Sequence, residues 1–197
     1  MKKGMKNLPG SKAVNSATRG VVLTGGMSRR MGRPKQHILL GDRTLLERAL
    51  GLLREVRPPL HSVVVSGPEG IPDDPPGCGP LGGIRTILED SPEYLLVMPV
   101  DMPFLERETL SRLMEEAGPE AVHFDGFPFP LLINNCLNVR QRLDALLQGP
   151  SVECSLRNFL KGLQVRLLNA TNQDRFKNLN SPRDLADAKP CPPAPLF

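Results

Sequence analysis

The 197-residue sequence predicts a three-layer α/β/α fold with a mostly parallel, mixed sheet. Three observations lead there. Short apolar runs ending in glycine or proline alternate with stretches whose apolar residues recur at helical spacing. A glycine pair directly follows the first run. An aspartate follows the third, and both positions are where open α/β sheets gather ligands, at the carboxyl ends of strands.

The elements follow in order. Residues 20–23 read as a buried strand that stops at Thr24-Gly25-Gly26. Leu45, Leu46, Ala49, Leu52 and Leu53 mark a helix over residues 45–55. The β-branched run at residues 62–65 is a second strand, and residues 68–83, rich in Pro and Gly, read as a loop. A short helix is expected over residues 84–90. Residues 94–98 are apolar throughout, which predicts a strand buried on both faces.

Leu110, Leu113, Met114 and Ala117 share a helical face that Gly118-Pro119 closes. Two weaker strands, 121–124 and 131–133, flank a Gly/Pro turn. Val139, Leu143, Leu146 and Leu147 mark another helix, and Leu156, Phe159, Leu160 and Leu163 one more, before a strand at 165–168. The last helix begins at Asn180 or Ser181 as cap, with Pro182 and Asp184 in its first turn.

Length and composition suit one soluble domain: hydrophobic residues are 40% and charged residues 23%. No apolar run approaches the roughly 20 residues of a membrane span. The net charge is +4, but residues 1–19 carry +5 and no acid, leaving −1 for the rest. A basic leader explains the excess, so no nucleic-acid face is expected on the body. Residues 1–19 therefore read as a basic tail, 20–189 as one domain and 190–197 as a Pro-rich tail. Cys78, Cys136, Cys154 and Cys191 lack Cys-x-x-Cys spacing. Without a secretory signal, reduced thiols and a cytoplasmic location are expected. His37, His61 and His123 have no zinc or triad spacing and read as structural.

Chemistry concentrates in residues 23–35. Gly25 and Gly26 let the backbone approach a ligand with its N–H groups toward phosphate oxygens. Arg29, Arg30, Arg33 and Lys35 add four cations without an acid, enough to neutralise a triphosphate. The segment is neither a Walker A loop nor the dinucleotide fingerprint. Asp101, between Pro99 and Pro103 at a strand end, offers the hard oxygen that Mg²⁺ prefers.

This segment resembles the Leu-x-Gly-Gly-x-Ser-x-Arg-Met-Gly-x-x-Lys signature of nucleotidyltransferases. Gly79-Pro80-Leu81-Gly82-Gly83, the Pro99 to Pro103 segment and Asn178-Leu179-Asn180-Ser181-Pro182 resemble one branch, the molybdenum cofactor guanylyltransferases (MobA), over residues 20–188. The resemblance implies transfer of GMP from GTP to the terminal phosphate of molybdopterin, with Mg²⁺ and release of pyrophosphate. It implies GTP contacts from Leu23, Thr24, Gly25, Gly26, Lys35 and Asp101, with Asp101 as metal ligand and Lys35, Asp101 and Arg30 as catalytic groups. Ser66, and either Asp73 or Asp74, would face the base, where a carboxylate can accept from guanine N1–H and N2 amino. Asn178 and Asn180 would return to the metal and phosphate side, and residues 123–136 would border the pterin. Molybdoenzyme apoproteins or their chaperones are the protein partners such a product implies. The rivals are a transferase using CTP or a sugar phosphate, and a non-catalytic nucleotide or cofactor carrier.

Overall fold

A computed structural model describes residues 18–25, 32–149 and 154–188. Its centre is a six-stranded sheet in the order β4-β1-β5-β7-β6-β8. The strands are β1 (Thr18–Leu23), β4 (Ser62–Ser66), β5 (Tyr94–Pro99), β6 (Ala121–Phe124), β7 (Phe127–Asn134) and β8 (Val165–Leu168). A two-stranded ribbon, β2 (Leu39–Leu40) with β3 (Arg43–Thr44), stands apart. Strands β4, β1 and β5 are mutually parallel, β7 is antiparallel to both β5 and β6, and β8 is parallel to β6. The sheet is mixed and mostly parallel, as expected.

Alternation along the central strands separates the layers. Val22, Leu96 and Met98 point to one face, covered by α1 (Leu45–Glu55) and α3 (Arg107–Glu115) through Leu45, Leu53, Leu110 and Leu113. Val21, Leu23, Leu95 and Val97 point to the other, covered by α2 (Pro80–Leu88), α4 (Leu137–Gln148) and α5 (Leu156–Lys161). Thr44 opens α1 with a capping box in which its hydroxyl accepts from Glu47 N–H and the Glu47 carboxylate accepts from Thr44 N–H.

The sequence reading needs correction in several places. The first strand starts at Thr18, inside the segment assigned to the tail, because Thr18 pairs with Tyr94 and its carbonyl accepts from His61 N–H at 2.8 Å. The loop after β4 ends at Gly79, because Pro80 sits in the first turn of α2, where its missing N–H costs nothing. Strand β7 is longer than expected and contains Pro128 and Pro130. Its pairing with β6 shifts between His123 and Phe124, so residues 128–130 fall outside the ladder, and neither proline deprives a neighbour of a donor. Ser181, rather than Asn180, caps α6 (Pro182–Asp187). Cys78, Cys136 and Cys154 are free thiols; Cys191 lies outside the described residues. Among the described residues no helix is long and apolar enough to cross a membrane.

Candidate active site

From β1 the chain crosses to β4 on one side and from there to β5 on the other. That reversal of direction leaves a crevice at the carboxyl ends of these strands. Two clusters line it.

The first lies beyond β1 and β4. Thr24 is buried and its hydroxyl donates to the Ser66 carbonyl at 2.8 Å, while Thr24 N–H donates to the same oxygen at 2.9 Å. Its side chain therefore staples two strands and leaves the backbone to face the cleft. Ser66 Oγ donates to Asp73 Oδ1 at 2.9 Å, so the two adjacent acids part company here. Asp73 faces inward, while Asp74 is exposed, with its N–H donating to Thr86 Oγ1. Leu23, Gly25, Ser66, Asp73, Gly79, Pro80 and Gly83 enclose this small pocket. A Cβ on Gly83 would stand 2.9 Å from Asp73 Oδ1 and collide with Ser66 Oγ, so only glycine leaves both side chains in place. A Cβ on Gly25 would lie 3.1 Å from Asp73 Oδ2.

The second cluster is electrostatic. Lys35 stands on a single 3₁₀ turn, residues Lys35–His37. Its Nζ donates to Asp101 Oδ2 at 2.6 Å and to Asn180 Oδ1 at 2.7 Å. The Asp101 carbonyl accepts from Leu179 N–H at 2.8 Å, so backbone and side chain both tie the last segment to the end of β5. Asp101 Oδ1 is buried and has no hydrogen-bond partner among the described residues. Asp184 accepts from the backbone N–H of Asn180 and of Ser181, and these bonds, helped by the charge of Lys35, hold its carboxyl below the usual aspartate range.

A cleft of about 290 Å³ adjoins these groups, lined by Pro99, Met102, Phe127, Phe129, Phe176, Asn178 and Asn180. Phe127 stacks on Phe176 with centroids 4.4 Å apart, making an aromatic wall. Pro99 and Phe129 line both this cleft and the Asp73 pocket, so the two share a wall.

The structure thus brings together Leu23, Gly25, Ser66 and Asp73 on one side, and Lys35, Asp101 and Asn180 on the other, with Asn178 at the rim. Gly26 and Arg30 lie outside the described residues; Arg33 is exposed. From the 123–136 region, Phe127 and Phe129 line the cleft. Phe176 was missed, because a lone phenylalanine between polar neighbours gives no periodic signal. Among the described residues no group of three or more His, Cys, Asp or Glu side chains could hold a metal by itself.

Residues 20–167 match the model of the MobA-like NTP transferase domain. The chain belongs to this family. It is 37% identical to a molybdenum cofactor guanylyltransferase of Xanthomonas euvesicatoria over 83% of this chain and 89% of the relative. It is 32% identical to a Rhodobacter capsulatus protein of the same name, over 86% and 94%. The solved structure of molybdopterin-guanine dinucleotide biosynthesis protein A from Archaeoglobus fulgidus superposes with a TM-score of 0.68 at 25% identity, covering 86% of this chain and 95% of that one. A Thermus thermophilus 2-C-methyl-D-erythritol 4-phosphate cytidylyltransferase has a TM-score of 0.60 at 20% identity, over 85% and 95%, and shares the fold. The chain is a nucleotidyltransferase.

Proposed function

We propose that this chain transfers GMP from GTP to the terminal phosphate of molybdopterin, forming the guanine dinucleotide and releasing pyrophosphate. The observation that carries the guanine reading is Asp73, held by Ser66 at the floor of a pocket that Gly25 and Gly83 keep open. A carboxylate there accepts from two guanine donors that adenine lacks, and cytosine offers a single amino group instead. The names of the relatives at 37% and 32% identity point the same way.

In the proposed mechanism the base sits against Asp73 and the phosphates run over Gly25 toward Lys35. The pterin takes the cleft walled by Phe127 and Phe176, whose rim amides, Asn178 and Asn180, suit a polar heterocycle. A terminal phosphate oxygen of molybdopterin attacks the α-phosphorus of GTP in line. The new P–O bond forms as the bond to the β-phosphate oxygen breaks, and pyrophosphate leaves with that electron pair. The attacking oxygen is already anionic, so alignment and charge neutralisation suffice. Lys35 meets the charge growing on the leaving group, and its bonds to Asp101 and Asn180 hold the ammonium at the junction of the two clefts. Arg30, which lies outside the described residues, is the further catalytic cation of this proposal.

Asp101 fits a magnesium ion: Oδ1 is a buried hard oxygen without a partner among the described residues, and Mg²⁺ needs few carboxylates when phosphates supply the rest. Bound there, the ion would supply charge neutralisation across the phosphates. We take the sheet that begins at Thr18, with its covering helices, as the transferase domain, working in the cytoplasm and passing its product to molybdoenzyme apoproteins or their chaperones.

The test is incubation of the purified chain with GTP, MgCl₂ and molybdopterin, reading dinucleotide and pyrophosphate. CTP or ATP turning over equally would remove the guanine assignment. Binding without pyrophosphate release would mean a carrier.

A further inference from the structure

The mechanism leaves open what places Lys35. Its turn is a single 3₁₀ loop with no side-chain cap at its N-terminus, held internally by His37 N–H to the Pro34 carbonyl and Ile38 N–H to the Lys35 carbonyl. Downstream, buried Ile38 and the bond from Leu45 N–H to its carbonyl anchor the chain. Besides Asp101, which holds the Lys35 ammonium, a second acid reaches the other two residues of the turn. Glu69 Oε1 accepts from Gln36 Nε2 at 3.0 Å and lies 2.7 Å from His37 Nε2. Gln36 is buried, 5% exposed, so its carboxamide is committed to a fixed place.

Glu69 is equally well mounted. Its loop closes on itself through Gly67 N–H to the Ile71 carbonyl, Gly70 N–H to Gly67, and Ile71 N–H to Val65. Gly67, at φ +130°, packs so tightly on Thr24 that a Cβ would collide with the Thr24 hydroxyl. The Glu69 strap thus joins the exit of β1 to the Lys35 turn.

We propose that Glu69 is a positioning residue for the transfer reaction, setting the Lys35 turn through Gln36 and His37. The inference rests on the role assigned to Lys35 above. An exposed Glu–His pair on its own contributes little; the buried Gln36 amide, one residue from the functional ammonium, is what makes the contact consequential. Glu69 acts through Gln36 and His37, so its loss acts on geometry at Lys35 and not on nucleotide capture.

The experiment is a double-mutant cycle on the purified full chain, with kcat and the KM for GTP measured at saturating Mg²⁺ and thermal melting as a folding control. Glu69→Ala is expected to lower kcat about tenfold with KM changed less than about twofold, since a displaced catalytic group costs rate before binding. Glu69→Gln, which keeps an acceptor oxygen for Gln36, should recover most of that loss. In a Lys35→Ala background, Glu69→Ala should add less than about twofold, because the group it positions is gone. Additive losses in the cycle, or an unchanged kcat in Glu69→Ala, overturn the strap and leave the role of Lys35 standing. An unimpaired Lys35→Ala overturns both.

Discussion

The Asp73 side of the crevice is built from the ends of three adjacent parallel strands, whereas the Phe127 side is built from an irregular antiparallel strand and a segment near residue 178. On the first side the chain uses backbone and glycine: Gly25 and Gly83 are small because Asp73 and Ser66 stand where a Cβ would go. On the second it uses bulk, with Phe127 stacked on Phe176 across about fifty intervening positions. The contrast teaches how one scaffold can hold one pocket fixed while its other pocket is free to vary. The first depends on backbone positions that few residues satisfy, the second on side chains that substitution can resize.

That comparison can be broken experimentally. Replacing Asp101, which stands between the two sides, should have the largest effect: Asp101→Ala is expected to lower turnover by about a thousandfold or more with the fold intact. Activity within a few-fold of wild type at saturating Mg²⁺ would remove it from the metal site. Lys35→Ala should cost about 10²–10³ in kcat, by analogy with loss of one oxyanion donor, and Lys35→Arg should not restore it. A loss below about tenfold would place the ammonium elsewhere. Asp73→Ala should act on selection: the preference for GTP over ATP should shrink by about 1.5–3 kcal/mol, read from competing kcat/KM values, with the acceptor KM unchanged. Phe127→Ala should do the reverse, raising the acceptor KM by about 0.5–1.5 kcal/mol and leaving the KM for GTP alone. If each variant moved both KM values together, the two sides would not be separate pockets.

The smallest expected effect concerns pH. The Asp184 carboxyl is held below its ordinary value mainly by the backbone N–H of Asn180. Its stabilising contribution is therefore present above the unfolded-state value, about 3.9, and is lost as pH falls through the lower folded value. Melting temperatures of wild type and Asp184→Asn should differ at neutral pH and converge in strong acid. A difference that stayed constant down to low pH would mean the carboxylate is not what holds Asn180.

How much of this was legible in the sequence follows from the same contrast. Thr24, Gly25, Lys35 and Asp101 were readable because they fall in short contiguous motifs at strand ends, and α1 was readable from its apolar spacing. The start of α2 was not. Gly79, Gly82 and Gly83 look like loop composition, yet Gly82 and Gly83 are helical, and a Cβ on Gly82 would lie 2.8 Å from the Pro75 carbonyl oxygen. Tertiary crowding, invisible to local propensity, selected them. Strand β7 hid behind Pro128 and Pro130, which ordinarily argue against a strand and are tolerated here by the register shift. Asp73 and Asp74 were indistinguishable until the loop was folded. Glu69 belongs to no motif, and its importance arises only from where its turn lands.

The bond from Lys35 to Asn180 joins positions 145 residues apart. On a ribosome the chain emerges from its N-terminus, so the strands carrying Thr24, Ser66 and Asp101 are all available before Asn180 has been made. The junction of the crevice is therefore completed last. A chain interrupted anywhere before Leu179 lacks both the peptide N–H that docks on the Asp101 carbonyl and the amide that receives the Lys35 ammonium. Synthesis itself imposes an order in which the site closes only after every strand of the sheet has been made.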